Sequence, residues 1–183
     1  MADSILITGG AASGKARFAV TNFAAFDYVL FLRVGGELDT DVMNRIKFST
    51  EKNGVEWDIV NNNNTLVPAD EVKDHKFVIF DSVSSYARLV MDDMSPKDRG
   101  ELSDDMKKQI EKRVIDGVTK MRDKVAENHG SVIIITLEMG FSVRPADPVQ
   151  AAYRDIMGRV NQRIANSCDE AYFSASGIQF KIK

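Results

Sequence analysis

Short apolar runs alternate along the chain with longer stretches in which apolar residues recur every three or four positions. The short runs predict strands at 4–8, 28–32, 77–81, 131–136, 171–174 and 178–182. Three of them, 4–8, 77–81 and 131–136, are apolar on both faces, as parallel strands covered by helices should be. The last two strands flank Gly177 and predict a hairpin. This alternation predicts an α/β fold with a mainly parallel sheet flanked by helices.

The longer stretches predict helices at 17–24, 102–128 and 148–167. Ser103 is a candidate N-cap for the second of them. Two stretches carry the polar residues, glycine or proline that are typical of irregular structure. One spans Gly54 to Pro68 and the other is the polar segment 91–101, which is either a mobile loop or a plain solvated connector.

Composition narrows the class of protein. A chain of 183 residues with 44% apolar and 28% charged residues suits one globular domain, 1–183. The formal net charge of −3 gives no electrostatic reason to expect binding to nucleic acid or to an anionic membrane. A single cysteine, Cys168, excludes an internal disulfide. We find no signal peptide before Ser4 and no run long enough to span a membrane, so we expect a cytoplasmic protein.

One glycine-rich segment follows the first strand and opens a helix. In such a segment glycines let backbone N–H groups curl around an anion, the helix dipole adds positive potential, and a lysine reaches the β- and γ-phosphates. The alternative is a glycine-rich turn with an incidental lysine. The last position normally carries the hydroxyl that binds Mg²⁺, and here it is alanine. We therefore expect GTP or ATP as ligand, with a weakened Mg²⁺ site. The residues concerned are Gly9, Gly10, Ala11, Ala12, Ser13, Gly14, Lys15 and Ala16.

Two carboxylates follow predicted strands, at the edge of the sheet where ligands bind in open α/β folds. Asp81 ends the strand 77–81, where it is either a Mg²⁺ ligand or a helix cap. Glu138 follows the strand 131–136 and either orients a substrate hydroxyl or a water, or is an exposed loop acid. With Lys15, these two are the candidate catalytic residues.

Other residues that could carry chemistry have plainer interpretations. His75 and His129 each precede a strand and are expected at the end of the sheet opposite the phosphate loop, so we do not expect either to be catalytic. Trp57 lies in a short alternating segment, where packing is a simpler role than base stacking. Arg144 is either a phosphate clamp or an exposed loop residue.

Several segments together resemble the bifunctional adenosylcobinamide kinase / adenosylcobinamide-phosphate guanylyltransferase family of cobalamin biosynthesis. The loop is close to that family's T-G-G-A-R-S-G-K-S, and Glu138-Met139-Gly140 is similar to its E-V-G. The C-terminal part is the most specific, since it looks like Y-R-D-x-x-G-R-x-N-Q followed by G-x-x-x-x-x-K. The segments that carry the resemblance are 7–15, Leu38-Asp39, Arg45-Ile46, Trp57, Asp81, 138–140, 153–162, 169–172 and 177–183.

The resemblance implies a P-loop, RecA-like fold and a homotrimer. It also implies phosphorylation of the aminopropanol hydroxyl of adenosylcobinamide, followed by transfer of GMP from GTP through a guanylylated histidine. Counted from Arg45-Ile46, the histidine position holds Ser49. The acidic nucleotide contact expected a few residues after Trp57 falls at Asn61–Asn62. The basic loop residue falls on Ala12 and the Mg²⁺ hydroxyl on Ala16.

Because serine is a poor nucleophile without a base, and a poor leaving group afterwards, we expect the guanylyltransferase step to be lost. Two further hypotheses about the function stay open. One is a degenerate paralogue that binds a nucleotide or a corrinoid without turnover, and the other is a different small-molecule kinase on the same fold.

Overall fold

A seven-stranded sheet with the order β3-β2-β4-β5-β1-β6-β7 organises the protein. The computed structural model describes residues 3–62, 69–72, 74–95 and 101–183. All strand pairs are parallel except β6–β7, which form the expected C-terminal hairpin. The strands are β1 (Ser4–Gly9), β2 (Tyr28–Arg33), β3 (Glu56–Asn61), β4 (Phe77–Asp81), β5 (Ser131–Ile135), β6 (Glu170–Ala175) and β7 (Ile178–Lys181).

Five helices cover the two faces of this sheet in the described part of the chain. They are α1 (Lys15–Phe23), α2 (Thr40–Asn53), α3 (Val83–Met94), α4 (Asp104–Glu127) and α5 (Pro148–Ser167). The central strands contribute side chains to two apolar cores, one on each face of the sheet, because alternate side chains of a strand point to opposite faces. In β1, Leu6 joins the core under α3, α4 and α5, whereas Ile5 and Ile7 join the core under α1 and α2. The strands that are apolar on both faces are therefore buried on both faces.

The predicted mainly parallel α/β fold is confirmed, and the ends of the predicted strands lie within a residue or so of those observed. Ser103 caps α4 by accepting from the Met106 N–H, as expected. Two helices, α2 and α3, were not predicted. In α2 the buried residues are Val42, Ile46 and Ser49, so a serine interrupts its apolar pattern.

The prediction of a loop over 91–101 is wrong at its start. Helix α3 continues to Met94, and Met91 is buried in the core. Met91 is buried and Met94 packs partly buried against the same core, and the polar residues around them hid that pattern. Residues 96–100 lie outside the described part of the chain, as do 63–68 of the irregular stretch.

The carboxyl ends of the central strands lie together at one edge of the sheet. Gly9 ends β1, Arg33 ends β2, Asp81 ends β4 and Thr136 follows β5. Their registers bring residues that are distant in sequence side by side, because parallel neighbours point the same way. This edge carries the candidate site. Among the helices that the structure describes, none is both long enough and apolar enough to cross a lipid bilayer.

Candidate nucleotide-binding site

A cavity of about 520 Å³ opens at this edge of the sheet. Its floor is the glycine-rich loop and the start of α1, and its walls come from the ends of β2, β4 and β5 and from the start of α2. A concave site of this size outside the carboxyl ends of parallel strands is where α/β proteins bind their ligands. The lining residues are 11–17, Arg33, Leu38, Asp39, Asp41, Val42, Asp81, Ser82, Ser84, Ser85 and 135–137.

The glycine-rich loop needs glycine at its two ends. Gly9 has φ 151°, and a Cβ there would lie 2.2 Å from the carbonyl oxygen of Ser174. Gly14 has φ 92° and is the N-cap of α1, where it has no side chain to accept a hydrogen bond from the first turn. The first N–H groups of α1 are thus without a capping side chain, which is the arrangement that receives an anion.

The C-terminal hairpin holds the loop from behind. The Ser174 hydroxyl of β6 donates to the carbonyl of Ser13 over 2.6 Å, and the Gly177 N–H donates to the same carbonyl over 3.1 Å. Gly14 and Gly177 also approach closely, since a Cβ on Gly14 would lie 3.3 Å from the Gly177 Cα. The turn of the hairpin therefore fixes the phosphate loop, although the two segments lie at opposite ends of the sequence.

The ammonium of Lys15 lies over the loop that precedes it. Its Nζ donates to the carbonyls of Gly9 and Gly10 over 3.0 and 2.5 Å, and to the Ser13 hydroxyl over 3.3 Å. Burial lowers the pKa of Lys15, and the nearby Asp81 carboxylate acts in the opposite direction. The loop carbonyls hold this side chain in place at the cavity floor, where β- and γ-phosphates would lie.

Asp81 forms an ion pair with a residue that the sequence reasoning missed. Arg33 and Asp81 are register partners on β2 and β4, and Arg33 Nη1 donates to Asp81 Oδ2. Burial raises the pKa of Asp81, and the Arg33 guanidinium opposes that shift. The alternative role as a helix cap does not occur, because Ser82 is the N-cap of α3. Arg33 directly follows the predicted strand 28–32, so the rule that singled out Asp81 could have found it.

The residues at this place do not fit a protein-bound Mg²⁺ ion. Ala16 has no oxygen to offer, and the carboxylate of Asp81 is already paired with a guanidinium. Within the described ranges, no group of three or more His, Cys, Asp and Glu side chains converges to hold a metal ion. The expectation that Asp81 ligates Mg²⁺ remains a prediction, and the geometry does not favour it.

Glu138 faces its own loop. Its N–H donates to the Gly9 carbonyl over 3.0 Å, and its Oε1 accepts from the Gly140 N–H over 2.6 Å. It is not among the residues that line the cavity. Arg154 of α5 fixes the same loop by donating to the carbonyls of Met139, Gly140 and Ser142 over 3.1, 2.8 and 3.1 Å. This geometry suits shaping of the loop better than contact with a substrate hydroxyl.

Helix α5 also holds the cavity walls. The Asn161 amide accepts from the Thr136 hydroxyl over 2.8 Å and donates to the Leu137 carbonyl over 2.9 Å. The Tyr153 hydroxyl donates to the Ser84 carbonyl over 2.7 Å. Thr136, Leu137 and Ser84 all line the cavity. The C-terminal run that looked most specific in the sequence therefore supplies side chains that position the walls of the site.

Ser49 lies outside the cavity. It is 2% exposed, donates to the Ile46 carbonyl over 2.7 Å and accepts from Trp57 Nε1 over 2.8 Å. Trp57 itself packs against the core under α1 and α2, which agrees with a packing role. Of the two asparagines at the expected acidic position, Asn61 donates to the Gly36 carbonyl and Asn62 to the Glu71 carboxylate. None of these side chains lines the cavity.

The histidines and Arg144 also lie away from the cavity. His75 stacks on Tyr28 with ring centroids 5.2 Å apart at the amino end of the sheet, and His129 precedes β5 at that same end. Arg144 is exposed and pairs with Asp155 over 3.2 Å. Each therefore has the plainer role that the sequence suggested.

The fold and the loop define a P-loop nucleotide-binding protein. Among solved structures, one of a prototypical ATPase from the type III secretion system of pathogenic bacteria matches with a TM-score of 0.58 at 15% identity, over 94% of this chain. The chain spans about half of that structure, 52% of its length, so this likeness bears on the fold alone.

The sequence identifies the family. The family model for cobinamide kinase / cobinamide phosphate guanyltransferase matches residues 5–182, and the chain belongs to this family. It is 28% identical over 182 residues to the bifunctional adenosylcobalamin biosynthesis protein CobU of Salmonella typhimurium, covering 98% of this chain and 99% of that one. It is also 28% identical to the protein of the same name from Escherichia coli, over 183 residues. The resemblance seen in the sequence is thereby confirmed.

Proposed function

We propose that the chain is a nucleotide-dependent kinase of this family that has lost the guanylyltransferase step. It would transfer the γ-phosphoryl group of GTP or ATP to the aminopropanol hydroxyl of adenosylcobinamide. The observation that carries the proposal is a contrast between two places in the fold. The phosphate loop keeps its glycines and Lys15, whereas the position that the family resemblance gives to the guanylylated histidine holds a buried serine outside the cavity.

The kinase step needs positioning and positive charge more than covalent chemistry. The oxygen of the hydroxyl attacks the γ-phosphorus, the bond from that phosphorus to the β-γ bridging oxygen breaks, and the nucleoside diphosphate leaves with that oxygen. The proton of the hydroxyl passes to solvent. Lys15 and the first turn of α1 stabilise the negative charge that builds up on the phosphates. Asp81 acts through Arg33, which it holds at the cavity wall.

The guanylyltransferase step needs a nucleophile that this chain does not place at the site. Ser49 already donates its only proton to the Ile46 carbonyl and accepts from Trp57. A serine hydroxyl also needs an adjacent general base to attack a phosphate, and the groups around Ser49 are a carbonyl and an indole. His75 and His129 lie at the opposite end of the sheet from the loop. We therefore expect no covalent nucleotidyl intermediate.

A second candidate function is a nucleotide- or corrinoid-binding protein without turnover. The ion pair of Arg33 and Asp81, together with Ala16, favours it, because a kinase of this class uses a metal-binding hydroxyl and a free carboxylate. Loss of one such ligand at about 3 kcal/mol of transition-state stabilisation would lower the rate about 10²-fold. Turnover therefore separates the two candidates.

The test incubates purified protein with adenosylcobinamide and GTP or ATP, with magnesium present, and separates the products by chromatography. We expect phosphorylated product with the wild type and none with Lys15→Ala. Binding of nucleotide without any product would select the second candidate. In parallel, GTP labelled at the α-phosphate should leave no label on the denatured protein. Covalent labelling would overturn the claim that the guanylyltransferase step is lost.

We also propose a homotrimer in the cytoplasm that takes a corrinoid and a nucleotide as its small-molecule ligands. Several large apolar side chains are exposed near the C-terminal hairpin and the loop after β5, which suits an interface between copies. They are Phe141 (84% exposed), Val143 (92%), Ile178 (60%), Phe180 (52%) and Ile182 (62%). Light scattering on the protein as it elutes from a sizing column measures the mass directly, and a monomer would contradict the trimer.

A further inference from the structure

Arg33 pairs with a strand-ending carboxylate in the cavity that the phosphate loop also lines, which is the region where a P-loop protein binds a divalent cation. We infer that the Arg33 guanidinium, held by Asp81, replaces Mg²⁺ as the cation that faces the nucleotide phosphates, so that nucleotide binding is independent of divalent metal. The inference deepens the proposed function, because it rests on nucleotide binding at the same cavity.

The position of Arg33 is fixed by the backbone. It is the register partner of Asp81 across β2 and β4, and both residues line the cavity together with Lys15. The Arg33 side chain is 24% exposed and the Asp81 side chain 8%. Both residues thus face the cavity, and Arg33 is the more exposed of the two while Asp81 is largely shielded from solvent.

The guanidinium keeps donors to spare. Arginine carries five N–H donors in a planar fork, and the bond to Asp81 uses one on Nη1. Its Nε has no hydrogen-bond partner among the described residues but is buried, so the donors left for a ligand are the remaining N–H groups of the two Nη atoms. A planar group with a permanent charge and spare donors suits a phosphate, which arginine binds through two parallel hydrogen bonds.

Ala16 and Arg33, the two departures from a metal-binding P-loop site, both disfavour a protein-bound Mg²⁺ ion. Ala16 removes a hydroxyl that would bind the metal, and Arg33 adds a cation that neutralises the carboxylate. Without Arg33, a buried carboxylate would face a triphosphate, and like charges repel strongly where water is excluded. Two other acidic residues, Asp39 and Asp41, line the cavity. Asp39 is the N-cap of α2 and accepts from the Asp41 N–H. Its carboxylate thus already serves the start of that helix.

The test measures the affinity for GTP and for ATP by calorimetry, once with excess magnesium and once with EDTA. For the wild type we expect the dissociation constants in the two conditions to agree within about threefold. We expect Arg33→Ala to weaken binding about tenfold or more in EDTA, through loss of a charge-assisted contact. The double variant Ala16→Ser, Arg33→Ala should bind about tenfold more tightly with magnesium than without, because it regains a hydroxyl ligand and frees Asp81.

Two further variants serve as controls for this experiment. Arg163→Ala removes the same charge from an exposed site on α5, outside the residues that line the cavity, and should change neither affinity. Arg33→Lys keeps the charge, so its nucleotide binding should still be independent of magnesium, at lower affinity. If Arg33→Ala does not fold, this variant tests the role of the charge at position 33 in its place. Circular dichroism establishes folding for each.

The outcomes are distinct. If the wild type binds neither nucleotide in either condition, the proposed function fails and the inference fails with it. If the wild type binds with magnesium and loses about tenfold or more in EDTA, the inference is overturned while the proposed function stands. An Arg33→Ala variant that binds as the wild type does in EDTA would overturn the role of the guanidinium.

Discussion

The indole of Trp57 donates a hydrogen bond to the Ser49 hydroxyl over 2.8 Å, across the space between β3 and α2. Ser49 in turn donates to the Ile46 carbonyl one helical turn earlier, over 2.7 Å. The pair ties an edge strand to the helix beside it with one short chain of hydrogen bonds. A residue that the family resemblance places in catalysis therefore has a packing role in this chain.

Ser49→Ala should destabilise the protein by about 1–3 kcal/mol, because it leaves the half-buried Trp57 N–H without its acceptor. Chemical denaturation measures this change. Trp57 is the single tryptophan, so its fluorescence emission reports the same site and should shift. Thr21→Ala is the control, since it removes an exposed helical hydroxyl that also donates to a carbonyl, and its effect should stay within about 0.5 kcal/mol. Equal effects of the two variants would contradict the prediction.

Gly9→Ala and Gly10→Ala form a matched pair in the phosphate loop. A Cβ on Gly9 would lie 2.2 Å from the Ser174 carbonyl oxygen at φ 151°, whereas a Cβ on Gly10 would have no atom within 4 Å. We expect Gly9→Ala to cost at least about 2 kcal/mol of stability and to weaken nucleotide binding, because either the loop or β6 must shift. Gly10→Ala should leave stability unchanged within about 0.5 kcal/mol. Thermal unfolding measures both, and a harmless Gly9→Ala would show that the loop is not wedged against β6.

Part of the site could be predicted because it is local in the sequence. The loop, its lysine and the strand-ending Asp81 each follow from a run of a few residues, and the sheet then places them at one edge. Arg33 could have been singled out by the same rule, but its pairing with Asp81 could not be found in this way. Arg33 is 48 residues away, and the two meet only because β2 lies next to β4 in the strand order. The buried pattern that predicts a strand does not reveal its neighbours.

The missed helices have a similar physical reason. Helix α2 buries a serine on its inner face, and its hydrogen bonds with Ile46 and Trp57 are what make that burial tolerable. A pattern of apolar positions cannot anticipate a polar residue that is satisfied by a distant partner. Helix α3 was missed as well, since it too buries a serine, Ser84, and a polar segment follows it directly.

Two glycines within helices should respond in opposite directions to alanine. A Cβ on Gly117 of α4 would lie 2.2 Å from the Tyr86 hydroxyl oxygen, while a Cβ on Gly158 of α5 would meet no atom within 4 Å. We expect Gly158→Ala to stabilise the protein by about 0.5–1 kcal/mol through its higher helix propensity. We expect Gly117→Ala to destabilise it by about 1–3 kcal/mol, because Tyr86 is fully buried and must move. Urea denaturation of both variants checks the signs, and two changes of the same sign would contradict one of them.

Asn161→Ala should loosen the wall of the cavity. The variant leaves the buried Thr136 hydroxyl without its acceptor and the Leu137 carbonyl without its donor, at about 2–4 kcal/mol of stability for the two groups together. Because both partners line the cavity, nucleotide affinity should fall as well. Asn166→Ala, an exposed position on the same helix, is the control and should change neither property. If Asn161→Ala unfolds at the same denaturant concentration as this control, the wall is held by other contacts.

The single cysteine should be inert while the protein is folded. Burial raises the pKa of Cys168 to about 11, chiefly because the thiolate would lose its hydration, and the side chain is 2% exposed. At pH 8 about 0.1% of such a thiol is ionised, against about a quarter of an unfolded cysteine with a pKa near 8.5. Reaction with a thiol reagent at pH 8 should therefore be at least about 200-fold slower in the native protein than in guanidinium chloride.

The raised pKa of Cys168 makes both the stability of the protein and the labelling rate depend on pH. The folded state favours the neutral thiol, so its contribution to stability is complete below the unfolded pKa near 8.5 and is lost as the pH rises towards about 11. The native labelling rate should rise about tenfold per pH unit between 8 and 10. The same chain in denaturant is the control, and its rate should level off above its pKa. A native rate that is flat in this range, or within about tenfold of the denatured rate at pH 8, would show that Cys168 reaches solvent as a thiolate.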